Sequence, residues 1–111
     1  MRTAEAVRAL AALAQDTRLA IYRLLVQRGP GGLPAGTVAE RLDVPAATLS
    51  FHLKELVNAG LIESRQEGRF VYYSANYGRM NGLIGFLSEN CCQGEAAAAC
   101  APAPQLRRKR A

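Results

Sequence analysis

The sequence predicts a mainly α fold with one small β-hairpin, an α+β winged helix-turn-helix. Three observations carry this. Helical spacing of apolar residues runs through most of the chain. A short helix and a longer one are separated only by "DVP", residues 43–45, and a short helix, a tight turn and a longer helix make a helix-turn-helix. Two runs rich in β-formers, "LIESRQ" and "RFVYYS", flank "EG" directly after the longer helix, where a wing belongs.

Each element follows in order. "TAEAVRALAAL" sets Val7, Leu10 and Ala14 on one helical stripe. "DTRLAIYRLLVQRG" is a second helix with Leu19, Tyr22, Leu25 and Val26 on its apolar face; Asp16 favours its first turn, and Gly29 with Pro30 stops it. "GPGGLPAG" reads as a loop. The short helix begins either at Pro34 or slightly later, at a Thr37-x-x-Glu40 capping box, and runs to about Leu42. The longer helix, "AATLSFHLKELVNAG", has Leu49, Leu53, Leu56 and Val57 as its buried stripe and Gly60 as its C′ residue. After the hairpin, "NYGRMNGLIGFLSEN" returns to helical spacing through Met80, Leu83, Ile84 and Leu87. Gly78, Gly82 and Gly85 interrupt it. Each costs about 1 kcal/mol relative to Ala, which points to a compensating close approach of another helix.

Length and charge narrow the class. The 111 residues suit one small domain, which burial through dimerisation would help. The division expected is residues 1–90 as the winged domain and 91–111 as a cysteine-containing tail. The net charge is +5, but Arg107, Arg108, Lys109 and Arg110 hold most of it; residues 1–106 carry ten basic and nine acidic residues, a net of +1. Overall charge is therefore weak support for DNA binding. The sequence shows no secretory pattern and no apolar run near the ~20 residues that span a bilayer. The odd cysteine count forbids complete intrachain pairing. Together these point to a cytoplasmic protein with free thiols and no membrane partner.

The second helix of a helix-turn-helix lies in the major groove, with its N-terminal residues at base edges. Here these are Ala46, Ala47, Thr48, Ser50 and Phe51. Ala, Phe and the Thr methyl suit thymine methyl groups, and the hydroxyls of Thr48 and Ser50 suit bases or phosphates. His52 and Lys54 are candidates for backbone contacts, His52 equally for a partly buried structural role. Thr37 is placed to meet a phosphate near a helix N-terminus. Arg65 and Arg69 bracket the hairpin turn, and Arg69 suits a phosphate or minor-groove contact. The partner implied is double-stranded operator DNA.

"LAALAQDTRLAIYRLL" and "LSFHLKELVNAGLIESRQEGRFVYYS", with their spacing, resemble the ArsR/SmtB metalloregulatory repressors over about residues 5 to 90. The resemblance implies a homodimer built by the first and last helices, with Val7, Leu10, Met80, Leu83, Ile84 and Leu87 at its interface. A two-fold dimer presents two reading helices to a pseudo-palindromic operator about one helical turn apart.

All three cysteines lie in "FLSENCCQGEAAAAC": Cys91, Cys92 and Cys100. The eight residues from Cys92 to Cys100 span up to about 26 Å when extended, so Cys100 can return to the pair. Three thiolates suit a soft ion. They balance the formal charge of arsenic(III) or antimony(III), whose lone pair accepts a three-coordinate pyramid; cadmium, lead or mercury fit the same donors less distinctively. Zinc usually takes four ligands, often histidine, and the sole histidine is in the reading helix. Adjacent cysteines form a strained disulfide with each other.

The resemblance sharpens this. Some ArsR-type repressors hold arsenite through cysteines at the start of the helix-turn-helix, where this chain has Pro34 and Gly36. Zinc-sensing members use His and carboxylates on the last helix, and "MNGLIGFLSEN" has no histidine. The chain resembles the subgroup with an adjacent cysteine pair after the last helix and a third cysteine beyond. The function implied is an arsenic(III)-responsive repressor without organic cofactor, released from DNA when the thiolates take the inducer. An oxidation-sensing or other soft-metal-sensing repressor is the alternative, and a metal-sequestering protein a further one. A thiol-dependent enzyme is disfavoured, because the chain lacks a phosphate-cradling glycine loop and a Cys-x-x-Cys motif.

Overall fold

The computed structural model describes residues 1–94. In chain order it has α1 (Thr3–Leu13), α2 (Asp16–Arg28), β1 (Leu33–Pro34), α3 (Ala35–Leu42), α4 (Ala46–Asn58), β2 (Ile62–Glu67), β3 (Phe70–Ala75) and α5 (Tyr77–Ser88). The three strands form one antiparallel sheet in the order β1-β3-β2. One core joins helices and sheet, centred on Ile21, Leu25, Val38, Leu49, Leu56 and Leu61.

The small strand β1 was not expected in the "GPGGLPAG" loop. It forms because Leu33 and Pro34 pair with Tyr73 and Tyr72. Gly32 makes this possible: it sits at φ +73°, and a side chain there would collide with the Tyr73 carbonyl. The short helix then starts at Ala35 with Pro34 as its N-cap, and no side chain caps it. Thr37 therefore lies inside the first turn, and the capping box does not form.

The α1 surface is turned differently from its largest apolar residues. Ala6, Ala9 and Ala12 are buried, whereas Val7 is 58% and Leu10 42% exposed. Small side chains let α1 lie close on the core, leaving the branched ones outside. On α4, Leu49, Leu53 and Leu56 are buried as expected, but Val57 is exposed. Leu19 of α2 is exposed as well. Gly60 does follow the α4 C-cap at φ +78°. The hairpin turn sits one residue later than "EG": Glu67 pairs with Phe70, so Gly68 and Arg69 form it.

Candidate nucleic-acid interface and thiol turn

Helices α3 and α4 are joined by Asp43–Val44–Pro45. Asp43 adopts a left-handed conformation at φ 54°, and the amides of Asp43 and Val44 close the last α3 turn on Glu40 and Ala39 carbonyls. Pro45 is the N-cap of α4. Leu49 and Leu53 anchor α4 to the core. Its other face leaves Ala46, Ala47, Thr48, Ser50, Phe51 and Lys54 exposed. These are the base-facing candidates, and the structure leaves all of them exposed on α4. Thr37 is half-buried at the start of α3.

Of the two roles open to His52, a backbone contact and a partly buried structural one, the structure favours the buried one. Only 8% of it is exposed, and its Nδ1 lies 3.3 Å from an Arg18 guanidinium nitrogen. The residue lies on the inward side of α4 with Leu49, Leu53 and Leu56, one position round from exposed Phe51. Its ring meets Phe51 edge-on at 5.5 Å. Arg18 also donates through Nε to the Ala12 carbonyl at 2.6 Å, so α1, α2 and α4 are tied through one side chain. Arginine can only donate, so in this contact Nδ1 is the acceptor. Nothing in the hydrophobic periodicity singled out Arg18.

The two wing arginines differ. Arg65 is engaged: it pairs with Glu67 at 2.7 Å, donates to the Gly31 carbonyl at 3.0 Å and lies over the Tyr72 ring at 5.1 Å. Its guanidinium is thus already partnered within the chain. Arg69 is exposed in the turn itself. Beside it, Phe70 is 59% exposed, an apolar group at the wing tip that the β-pattern alone could not distinguish from a core residue.

The other end of the molecule carries the thiols. Cys91 donates its amide to the Ser88 carbonyl at 3.1 Å, tying the cysteine turn to the end of α5. Asn90 and Cys92 flank it at φ 61° and 64°. Left-handed backbone is routine for Asn and strained for Cys. The Cys91 and Cys92 sulfurs are 3.3 Å apart. Cys91 is free and exposed. Cys92 is disulfide-bonded, which corrects the expectation of free thiols at that position. Cys100 lies outside the described residues.

A helix-turn-helix domain model matches residues 13–65. The arsenical resistance operon repressor of Bacillus subtilis is 38% identical over 81 residues, 73% of either chain. This chain belongs to the ArsR family of transcriptional regulators. Family members do not share one regulatory direction: the transcriptional activator HlyU of Vibrio cholerae is 32% identical over 91 residues, 82% of either chain. Among solved structures, an ArsR-like regulator from Rhodococcus sp. RHA1 is 30% identical with a TM-score of 0.73, covering 87% of this chain and 89% of that one. A homodimeric winged helix-turn-helix domain from Mycobacterium bovis is 28% identical with a TM-score of 0.61, covering 82% and 84%.

The face this ArsR-family chain would offer a second copy is only partly the expected one. Val7, Leu10, Ile84 and Leu87 are exposed, and Met80 is half-buried. Leu83 is a correction: at 7% exposure it belongs to the chain's own core. Gly85 has open space where a side chain would stand, and Gly82 meets only the end of Met1. Among the described residues, nothing packed against Gly82 or Gly85 requires glycine there. Among the described residues no helix is long and apolar enough to cross a membrane.

Proposed function

We propose that the protein is an arsenic(III)-responsive repressor that binds operator DNA as a homodimer. The observation that carries this is the 3.3 Å separation of the Cys91 and Cys92 sulfurs, on a turn hydrogen-bonded to the last helix of an ArsR-family fold. Two metal–sulfur bonds of about 2.3 Å span at most about 4.6 Å, so one thiophilic centre fits both sulfurs. Cys100 supplies the third thiolate. Antimony(III) suits the same donors. The arsenical resistance repressor among its relatives supports this ligand class.

The reading head and the thiols do separate jobs. Thr48 and Ser50, with Ala46, Ala47 and Phe51, read base edges, while Arg69, Lys54 and Thr37 hold the phosphate backbone. The exposed Val7, Leu10, Ile84 and Leu87 cover one another across the two-fold axis. Thiolate ligation at the end of α5 and operator binding at α4 oppose each other through a coupling free energy, typically about 1–3 kcal/mol.

Replacing Cys91 or Cys92 with Ser tests the ligand. Either variant should keep operator affinity near wild type and lose arsenite-driven release. X-ray absorption on the reduced wild-type complex should count three sulfurs around arsenic. A double serine variant that still leaves DNA on adding arsenite would sink the reading.

A second reading has its own observation: Cys92 is disulfide-bonded with the free Cys91 sulfur beside it. That arrangement suits thiol–disulfide exchange and an oxidation-sensing repressor. Release of DNA by peroxide without metal, reversed by a dithiol reductant, would favour it. In the arsenic reading, reduction must precede the response, because only thiolates are ligands.

A further inference from the structure

The end of the reading helix and the start of the thiol-bearing helix share one set of hydrogen bonds. Helix α4 closes through Gly60 and Leu61, whose amides donate to the Val57 and Leu56 carbonyls at 2.9 and 3.0 Å. The carbonyls of the same two residues are taken by the start of α5. Asn76 Nδ2 donates to the Gly60 carbonyl at 3.1 Å, and the Asn76 amide to the Leu61 carbonyl at 2.8 Å. Asn76 Oδ1 in turn accepts the Arg79 amide at 3.0 Å, which makes Asn76 the N-cap of α5. Two helix caps are therefore built back to back, with no intervening loop to absorb movement.

Arg79 clamps this joint. Its guanidinium lies against Gly60, where a β-carbon would come within 2.9 Å of it. The same guanidinium pairs with Glu5 of α1 at 3.4 Å. The Arg2 amide, and less strongly Arg79, hold the Glu5 carboxyl below the usual range. Gly60 is needed twice over, for its positive φ and for the guanidinium above it. Sequence patterning explains Gly60 as a helix stop, but not the arginine seated on it.

Helix α5 is 12 residues long, about 18 Å at 1.5 Å per residue. One end holds the cap joint; the other holds the Cys91 turn through the Ser88 carbonyl. We propose that α5 is a lever and that Asn76 and Arg79 are the positioning residues through which ligation at the thiols moves the reading helix. Tilting α5 displaces the Gly60 and Leu61 carbonyls, and these residues also terminate α4. The inference rests on the arsenic-responsive reading above and names the physical path for its regulation.

Asn76→Asp tests it, because an acceptor then faces the Gly60 carbonyl in place of a donor. The carboxylate still caps α5 by accepting the Arg79 amide, but cannot donate to the Gly60 carbonyl. Arg79→Gln is the second variant and removes the clamp instead. Three quantities are read on each folded variant under reducing conditions: metal-free operator affinity, arsenite stoichiometry at the thiols, and the drop in operator affinity on adding arsenite. Coupling of this kind is typically about 5–150-fold in the wild type. Asn76→Asp should keep metal-free affinity within about 3-fold and bind arsenite with unchanged stoichiometry. Its arsenite-driven drop should shrink to about 3-fold or less. Hydrogen exchange should show arsenite altering Leu61 amide protection in the wild type and not in the variant. Loss of coupling accompanied by loss of arsenite binding would contradict the lever. A full drop persisting in both variants would overturn the joint and leave the arsenic reading standing. A wild type that binds arsenite but keeps its DNA would overturn both.

Discussion

Helices α4 and α5 are nearly the same length, 13 and 12 residues, and present opposite chemistry to the outside. The face that α4 leaves exposed carries Ala46, Ala47, Thr48, Ser50 and Lys54 around a single aromatic, Phe51. The face that α5 leaves exposed carries Ile84 and Leu87, 57% and 60% accessible, beside glycine. Small hydroxyl and methyl groups on an exposed helix face can enter a groove and discriminate bases. Branched aliphatic groups gain little from DNA and much from another apolar surface. In the proposed function, DNA takes the first of these surfaces and a second copy of the chain takes the other.

The contrast breaks most sharply at α5. Ile84→Glu with Leu87→Glu should raise the dimer dissociation constant about 100-fold or more, because unpaired buried polar groups cost about 1–3 kcal/mol and a two-fold interface carries each change twice. Sedimentation and thermal melting together check it: monomer, with a melting temperature close to that of a wild-type protomer. Leu83→Glu sharpens the comparison, because that side chain is in the chain's own core and should lower the melting temperature as well.

The next effect belongs to α4. Thr48→Ala or Ser50→Ala should weaken operator binding by about 1–3 kcal/mol while leaving random DNA nearly unchanged. Equal losses on both DNAs, measured by fluorescence anisotropy, would mean that this face does not read sequence. Smaller again is the wing. Arg69→Ala should weaken both kinds of binding and reduce the salt slope by about 0.9 if one phosphate contact is lost. Arg65→Ala should move the slope much less, since Glu67 already neutralises that guanidinium.

How much of this was legible depends on what each residue's role rests on. Strong periodicity located the five helices, and the β-branched and aromatic hairpin located the wing. Its turn slipped by one because Gly68 follows the last paired residue rather than sharing the turn with Glu67. The strand β1 was hidden because two residues between glycine and alanine carry no pattern; it exists through its pairing with Tyr72 and Tyr73. The buried alanines of α1 were not singled out in the sequence, because its stripe was read from the larger Val7 and Leu10, which are exposed. For His52 the sequence left an inward role and a DNA contact equally open, because its environment is set by Arg18, 34 positions away in sequence. The joint at Asn76 was likewise unreadable: a local motif gives the N-cap, and only the fold brings Gly60 beneath it.

The most direct measurement is an anisotropy titration of reduced protein on its own operator, with and without arsenite, for the wild type and for Cys91→Ser with Cys92→Ser. The account predicts tight binding by both proteins without arsenite, and a loss of at least about 5-fold with arsenite in the wild type alone. A wild-type affinity unchanged by saturating arsenite, or an equal loss in the serine variant, would contradict it.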